Sequence, residues 1–269
     1  KAIRRQRQMC IRDSRRTGRD CRHNTEEKMK YIYRLYQLFV VLPLGILATV
    51  LTALTVVVGC ALGGGHFFGY YPGHWWSRFI IRLCLLPVTV EGRENLEPDH
   101  SYVFVANHQG AFDIFLIYGF LGRNFKWMMK HQLRKMPFVG FACSASHQIF
   151  VDKRGPSRIK ETYDAARETL RSGMSVMVFP EGARTFTGHM GLFRKGAFML
   201  ADELQLPVVP LTINGSFDVM PRMRDGKWVT WHPLRLTIHQ PVYPIGRGSQ
   251  NVQATMRQSY DCLLYTSPS

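Results

Sequence analysis

The sequence predicts an α/β domain on a mostly parallel mixed sheet covered by helices, preceded by an N-terminal membrane-helix region. Three observations predict it. From Leu35 to Ser77 the chain runs 43 residues without Asp, Glu, Lys or Arg. After residue 88, short apolar runs bounded by turn residues recur, as buried strands do. Between several of these runs lie segments with helical periodicity, which is the pattern of a sheet covered on both faces.

The elements follow in order. Residues 1–28 hold ten Lys/Arg and four Asp/Glu and show neither helical nor strand period. With "RQRQMCIRDS" there and "CLLYTSPS" at the other end, 1–28 and 262–269 read as non-native tails and are set outside the fold. Leu38–Leu62 is nearly all apolar. Its 25 residues would make a helix of about 37 Å, enough to cross a hydrocarbon core roughly 30 Å thick. A signal peptide would have a shorter apolar run. Pro43 and Gly45 leave a single span and a re-entrant hairpin both open. "GGGHFFGYYPGHWW" has the aromatics of a membrane interface. "WWSRFIIRLCLL" then reads as a surface helix with Arg78 and Arg82 on one face, so 29–87 form the membrane region.

Residues 88–261 form one soluble domain. Its strands are expected at 88–90, 102–106, 125–129, 148–151, 175–179, 207–213 and 234–238. Its clearest helices are Arg158–Arg171, with Ile159, Tyr163, Ala166 and Leu170 on one stripe, and Lys195–Leu204.

Two segments, "NHQGAFD" (107–113) and "SHQIFVD" (146–152), both place an Asp five residues after a His. With ten His and ten Asp, about 0.4 such pairs arise by chance, so spacing proves nothing. Local structure separates them. A strand through Gln148–Val151 holds His147 and Asp152 about 16 Å apart on opposite faces. His108 instead sits in a strand-to-helix turn and Asp113 in the following helix's first turn, so the two can meet. Ligands gather at such C-terminal strand ends. "FPEGAR" (179–184) ends another strand, and its Glu181, Gly182 and Arg184 suit a polar substrate anchor, Arg being a planar fork for phosphate. Lys153, Arg154 and Lys130 follow two further strands.

Four blocks in order over about 88–245 resemble the glycerolipid acyltransferases, especially the 1-acyl-glycerol-3-phosphate O-acyltransferases. "NHQGAFD" is similar to their NHxxxxD block, "MMKHQLRKMPFVG…HQIFVDKRG" to the second region, "FPEGART" to the FPEGTR block and "VVPLTI" to the last. Ala183 stands where Thr is common, and His131-Gln132 where an acid often follows the Lys. The resemblance implies a glycerol-3-phosphate acyltransferase-like fold and an acyltransferase domain at 88–261. It implies acyl transfer from acyl-CoA or acyl-carrier protein to the sn-2 hydroxyl of lysophosphatidic acid, giving phosphatidic acid for phospholipid synthesis. His108 becomes the general base and Asp113 its orienting partner. Arg184, helped by Lys130 and Arg154, holds the acceptor phosphate, while Glu181 and Gly182 shape that pocket. No metal and no cofactor beyond the donor substrate is implied. Another lysolipid, such as a lyso-aminolipid or lysophospholipid, is the alternative acceptor. The implied setting is an integral or monotopic protein of a bacterial inner membrane, in contact with membrane lipids, its catalytic domain on the cytoplasmic side.

Composition narrows the classes. The chain carries +16, and +10 without the tails. Aromatics concentrate in the membrane end and charges scatter, which argues against a nucleic-acid partner. Six cysteines without CxxC spacing or a Cys/His cluster argue against a zinc site or a disulfide framework, and so for a reducing compartment. No GxSxG elbow and no Cys nucleophile stands beside the His, against a hydrolase.

Overall fold

The computed structural model describes residues 27–152, 154–222 and 228–266. The chain divides into two units, Lys1–Leu44 and Gly45–Ser269. Helix α1 is Glu27–Ala61, long and apolar enough by length and composition to cross a membrane. Within the first unit it contains a π-turn at Gln37–Val41. Pro43 explains that turn: it has no N–H to give the carbonyl four residues back, and the wider turn absorbs the gap.

In the second unit, α1 from Gly45 onward pairs with α2 (Tyr71–Leu83) through a one-turn helix at Gly65–Phe68. A Cβ on Gly59 would strike the Phe68 ring at 2.1 Å, and Trp76 Nε1 donates to Thr49 Oγ1 at 3.1 Å. These contacts make an antiparallel helical pair. Helix α2 is two-faced. Pro72, Gly73, Ser77, Ile80 and Ile81 are buried, while Tyr71, Trp75 and Phe79 are exposed. Its inner face meets α3 (Phe112–Phe120), where a Cβ on Gly73 would strike Tyr118 at 2.4 Å.

The sheet strands are β1 (Val88–Glu91), β2 (Val103–Ala106), β3 (Phe125–Lys130), β4 (Ile149–Val151), β5 (Ser175–Val178), β6 (Val208–Asn214) and β7 (Leu234–Ile238). Their order is β1-β7-β6-β2-β5-β3-β4. Every pairing is parallel except β6 with β7. The mostly parallel mixed sheet expected from the sequence is present. Val103, Phe104, Val105 and Ala106 of the central strand are fully buried. Each large apolar side chain removed from water there contributes about 1.5–3 kcal/mol.

One sheet face carries α2 and α3. The other carries α5 (Pro156–Arg171), α6 (Gly196–Leu204) and α7 (Ser249–Thr266), with Ala166, Leu170, Phe198, Leu200 and Val252 packed on β2 and β5. A short helix α4 (Val139–Ala145) joins β3 to β4. Two details differ from the sequence reading. Ile159 is exposed, and Thr162 takes the inward position on α5, its Oγ1 donating to Phe150 O at 3.3 Å. Residues 262–266, set aside as tail, are the last turn of α7: Leu263 is buried and Thr266 Oγ1 lies 2.6 Å from Thr212 Oγ1. Of the other tail, residues 1–26 and 267–269 lie outside the described residues, while Glu27 and Lys28 begin α1.

Candidate active site

Because β2, β5, β3, β4 and β6 are mutually parallel, their C-terminal ends share one edge of the sheet. His108, Asp113, Lys130, Arg154, Glu181, Gly182 and Arg184 follow strands at or near this edge, while Lys153 lies outside the described residues. Strand β2 ends at Ala106, and Asn107 ties it to β6: Asn107 Nδ2 donates to Ile213 O at 2.9 Å, and Ile213 N donates to Asn107 Oδ1 at 2.8 Å. The chain then turns through His108–Ala111 into α3. Gly110 is obligatory in this turn, since a Cβ would stand 2.2 Å from Ser216 O.

The turn brings His108 and Asp113 together, with Nδ1 and Oδ2 2.7 Å apart. Asp113 is fully buried, and the same Oδ2 accepts from Gln109 N at 2.7 Å and Gly110 N at 3.0 Å. A carboxylate holding two backbone donors can only accept from the ring as well. Nδ1 therefore carries the proton and Nε2 is left as the free basic nitrogen. The ring stacks on Phe179 at 3.9 Å between centroids, and Phe179 stacks on Trp127. The imidazole is thus fixed in tautomer and in plane.

The loop after β5 grips the His108 backbone on both sides. Glu181 Oε1 accepts from His108 N at 2.7 Å, and Thr185 N donates to His108 O at 2.9 Å. Arg184 lies between those two anchors, half-buried. Glu181 Oε2 accepts from Gly191 N at 2.7 Å, joining the next stretch of the loop. Burial raises the Glu181 pKa, against the opposing pull of its two backbone donors. Gly182 has φ +76, and a Cβ there would meet the Arg194 guanidinium at 3.0 Å, so only glycine fits comfortably. Arg222 clamps the same loop, donating from Nη1 to Arg184 O at 3.1 Å with its guanidinium over the Phe186 ring.

Lys130 and Arg154 are on the same edge but further out. In the order β2-β5-β3-β4 they lie two and three strands from His108, or about 10 and 14 Å at ~4.8 Å per strand. Lys130 is exposed at the end of β3. Arg154 is engaged with Asp152 through Nη2–Oδ2 at 2.6 Å and Nε–Oδ1 at 2.9 Å. That pair holds the Asp152 carboxyl well below the usual carboxylate range. His147 and Asp152 stand before and after strand β4, at its opposite ends. Sequence reasoning missed Phe179, Trp127, Thr185 and Arg222. No local signal marks the first two: Trp127 comes beside Met177, two residues before Phe179, only because β3 pairs with β5.

A cavity of about 680 Å³ runs along the open edge of β4, lined in part by Lys126, His131, Arg134, His147 and Arg158, and does not include His108 or Asp113. Among the described residues no group of His, Cys, Asp and Glu could hold a metal ion.

The profile of the acyltransferase family matches residues 87–214, which contain the His108–Asp113 turn and the loop that grips it. Residues 87–214 are an acyltransferase-family domain. The chain is 31% identical over 229 residues to a chloroplastic 1-acyl-sn-glycerol-3-phosphate acyltransferase of Arabidopsis thaliana, covering 81% of this chain and 62% of that protein. It is 33% identical over 146 residues to a 1-acyl-sn-glycerol-3-phosphate acyltransferase of Pseudomonas aeruginosa, covering 52% of this chain and 56% of that protein. The crystal structure of the 1-acyl-sn-glycerophosphate acyltransferase PlsC from Thermotoga maritima superposes with a TM-score of 0.72 at 26% identity, over 89% of this chain and 95% of that one. The chain spans 62% or less of the length of the first curated relatives it matches. The matched residues 87–214 hold both candidate catalytic residues, His108 and Asp113, and all five candidate anchors, Lys130, Arg154, Glu181, Gly182 and Arg184.

Proposed function

We propose that this domain transfers a fatty acyl group from an acyl thioester, acyl-CoA or acyl-carrier protein, to the sn-2 hydroxyl of lysophosphatidic acid. The product would be phosphatidic acid. The observation that carries this reading is that one loop holds both backbone groups of His108 and presents Arg184 between them. A base and a phosphate-binding fork are thereby fixed to the same short piece of chain.

In this reading the acceptor hydroxyl approaches His108 Nε2. Its oxygen attacks the thioester carbonyl as Nε2 takes the proton, and Asp113 steadies the imidazolium that forms. Collapse of the tetrahedral intermediate breaks the C–S bond, and the thiolate leaves with the proton held by His108. Arg184 binds the acceptor phosphate, with Lys130 further along the edge. Arg154 joins only if Asp152 releases it. The names of the Arabidopsis, Pseudomonas and Thermotoga relatives support the acceptor. Helix α1 and the exposed aromatic face of α2 support work at a bilayer, where acceptor and product reside. The donors are cytoplasmic, which favours the cytoplasmic face, and a bacterial inner membrane is the setting inferred, one of the relatives being bacterial.

The test offers the purified protein in detergent a panel of lysolipids with labelled acyl-CoA and acyl-carrier protein. Fastest transfer to lysophosphatidic acid is expected. Faster transfer to a lyso-aminolipid or a lysophospholipid with a capped phosphate would overturn the acceptor assignment.

A further inference from the structure

A second cavity, lined by cations and by no carboxylate, lies toward the opposite edge of the sheet from His108. Helix α3 begins beside His108 and runs nine residues, about 13 Å, away from it. At its far end is a cavity of about 240 Å³, whose lining includes Tyr70, His74, Arg78, Arg93 and Asn124. No residue lining it is an Asp or Glu. Among the described residues, neither Arg78 nor Arg93 has an ion-pair partner.

The lining also holds unmet polar atoms. Tyr70 Oη, Arg78 Nε and Asn124 Oδ1 are buried with no hydrogen-bond partner. Tyr70 Oη and Arg78 Nε can donate, and buried donors left without an acceptor are costly, so these two call for an anion or water there; Asn124 Oδ1 is an acceptor and does not. Arg78 is held in place, stacked 5.2 Å over the Phe120 ring, and Arg93 Nη2 donates to Phe120 O at 2.7 Å. His74 Nδ1 is bound to Tyr118 O at 3.0 Å. Burial lowers the His74 pKa against the opposing hydrogen bond to Tyr118 O, and the neighbouring charges of Arg78 and Arg93 lower it further.

The setting selects the source of the anion. Phe67, Tyr71, Trp75 and Phe79 on the neighbouring surface are exposed. Exposed aromatics of this kind settle at the headgroup level of a bilayer. The cavity is smaller than the roughly 300–1,000 Å³ that encloses a drug-sized ligand. It fits a headgroup, with acyl chains left outside on the aromatic face.

We propose that this cavity is a binding site for the phosphate headgroup of an anionic bilayer phospholipid, separate from the acceptor site at His108. A net-negative headgroup is favoured over a zwitterionic one because no carboxylate is present to meet a choline or ammonium.

The experiment counts lipids retained by the full chain, released from detergent micelles into native mass spectrometry. The probes are dioleoyl-phosphatidylglycerol, dioleoyl-phosphatidylcholine and inorganic phosphate. Phosphatidylglycerol is used because it is not the proposed reaction product, so failure of the function proposed above leaves this result intact. One tightly retained phosphatidylglycerol is expected. Arg93→Ala should weaken it at least about ten-fold, the loss of a charge-assisted contact. Arg93→Lys should recover part of it. Arg82→Ala removes the same charge from the same membrane face outside the cavity and should change retention less than about two-fold. Arg93 also caps α3, so melting without lipid must first show the variant folded. Equal losses for Arg93→Ala and Arg82→Ala would reduce the effect to general surface charge and overturn the site. Equal retention of phosphatidylcholine, or saturation by inorganic phosphate alone, would overturn the anionic-lipid assignment.

Discussion

His108 and His147 each stand five residues before an aspartate, and the backbone gives them opposite fates. After His108 the chain leaves β2, turns on Gly110 and enters α3, so the ring meets Asp113 at 2.7 Å. His147 closes the turn after α4 with φ +52, the chain then runs extended through β4 from Ile149, and Asp152, beyond its far end, pairs with Arg154 instead. A spacing motif carries chemistry only when the chain between its ends folds back. Glycine in the first segment and a β-branched, aromatic run in the second decide which happens.

The largest expected effect breaks or confirms this contrast. His108→Ala should remove nearly all acyl transfer, and Asp113→Asn should cost on the order of 10²-fold or more in kcat. His147→Ala should leave most activity in a folded protein. Equal collapse of the two histidine variants, with folding intact by circular dichroism, would show that the contrast does not govern function.

The next effect sharpens the role of the gripping loop. Arg184→Ala should lower kcat/KM for lysophosphatidic acid by about 30- to 1,000-fold, the roughly 2–4 kcal/mol of a charge-assisted bidentate contact. The donor KM should move much less, and Lys at 184 should rescue only in part. Equal losses on phosphate and neutral acceptors, with acceptor KM unmoved, would make Arg184 structural.

Two smaller effects are read in stability against pH, and their signs are opposite. Burial raises the Glu181 pKa, so the folded state favours its protonated form. Its contribution is fully present below the ordinary Glu value and is lost as pH rises through the raised one. The melting temperature of the wild type minus that of Glu181→Gln should therefore fall as pH rises through that window. Arg154 lowers the Asp152 pKa, so that contribution exists above the ordinary Asp value and disappears as pH falls toward the depressed one. Asp152→Asn should melt slightly lower than wild type at neutral pH and converge with it in acid. A constant offset across pH in either variant would contradict the assigned electrostatics.

Much of this was legible before any coordinates. The seven strands show as short apolar runs because a sheet covered on both faces needs both faces of each strand apolar. The His108–Asp113 turn shows because Gly110 interrupts the run. Helices α4 and α7 were not read. The first is only Val139–Ala145, and the second mixes Gln, Asn, Ser and Thr with few apolar residues, so periodicity gives little signal. The aromatic stack of His108 on Phe179 and Trp127, and Thr185's bond to the His108 carbonyl, depend on which strands are neighbours. That adjacency is a tertiary fact with no local pattern. The cavity at Arg78 and Arg93 was equally hidden, since its two arginines come from α2 and from the turn after β1.

The most direct test of the central claim looks at the His108 ring itself. Nitrogen NMR of the ¹⁵N-histidine-labelled protein in detergent micelles separates the two neutral tautomers of each ring. For the resonance lost in His108→Ala, a protonated Nδ1 and an unprotonated Nε2 are expected at neutral pH, with that preference disappearing in Asp113→Asn. A protonated Nε2, or a tautomer that does not respond to Asp113→Asn, would mean that the turn does not deliver a base to the site.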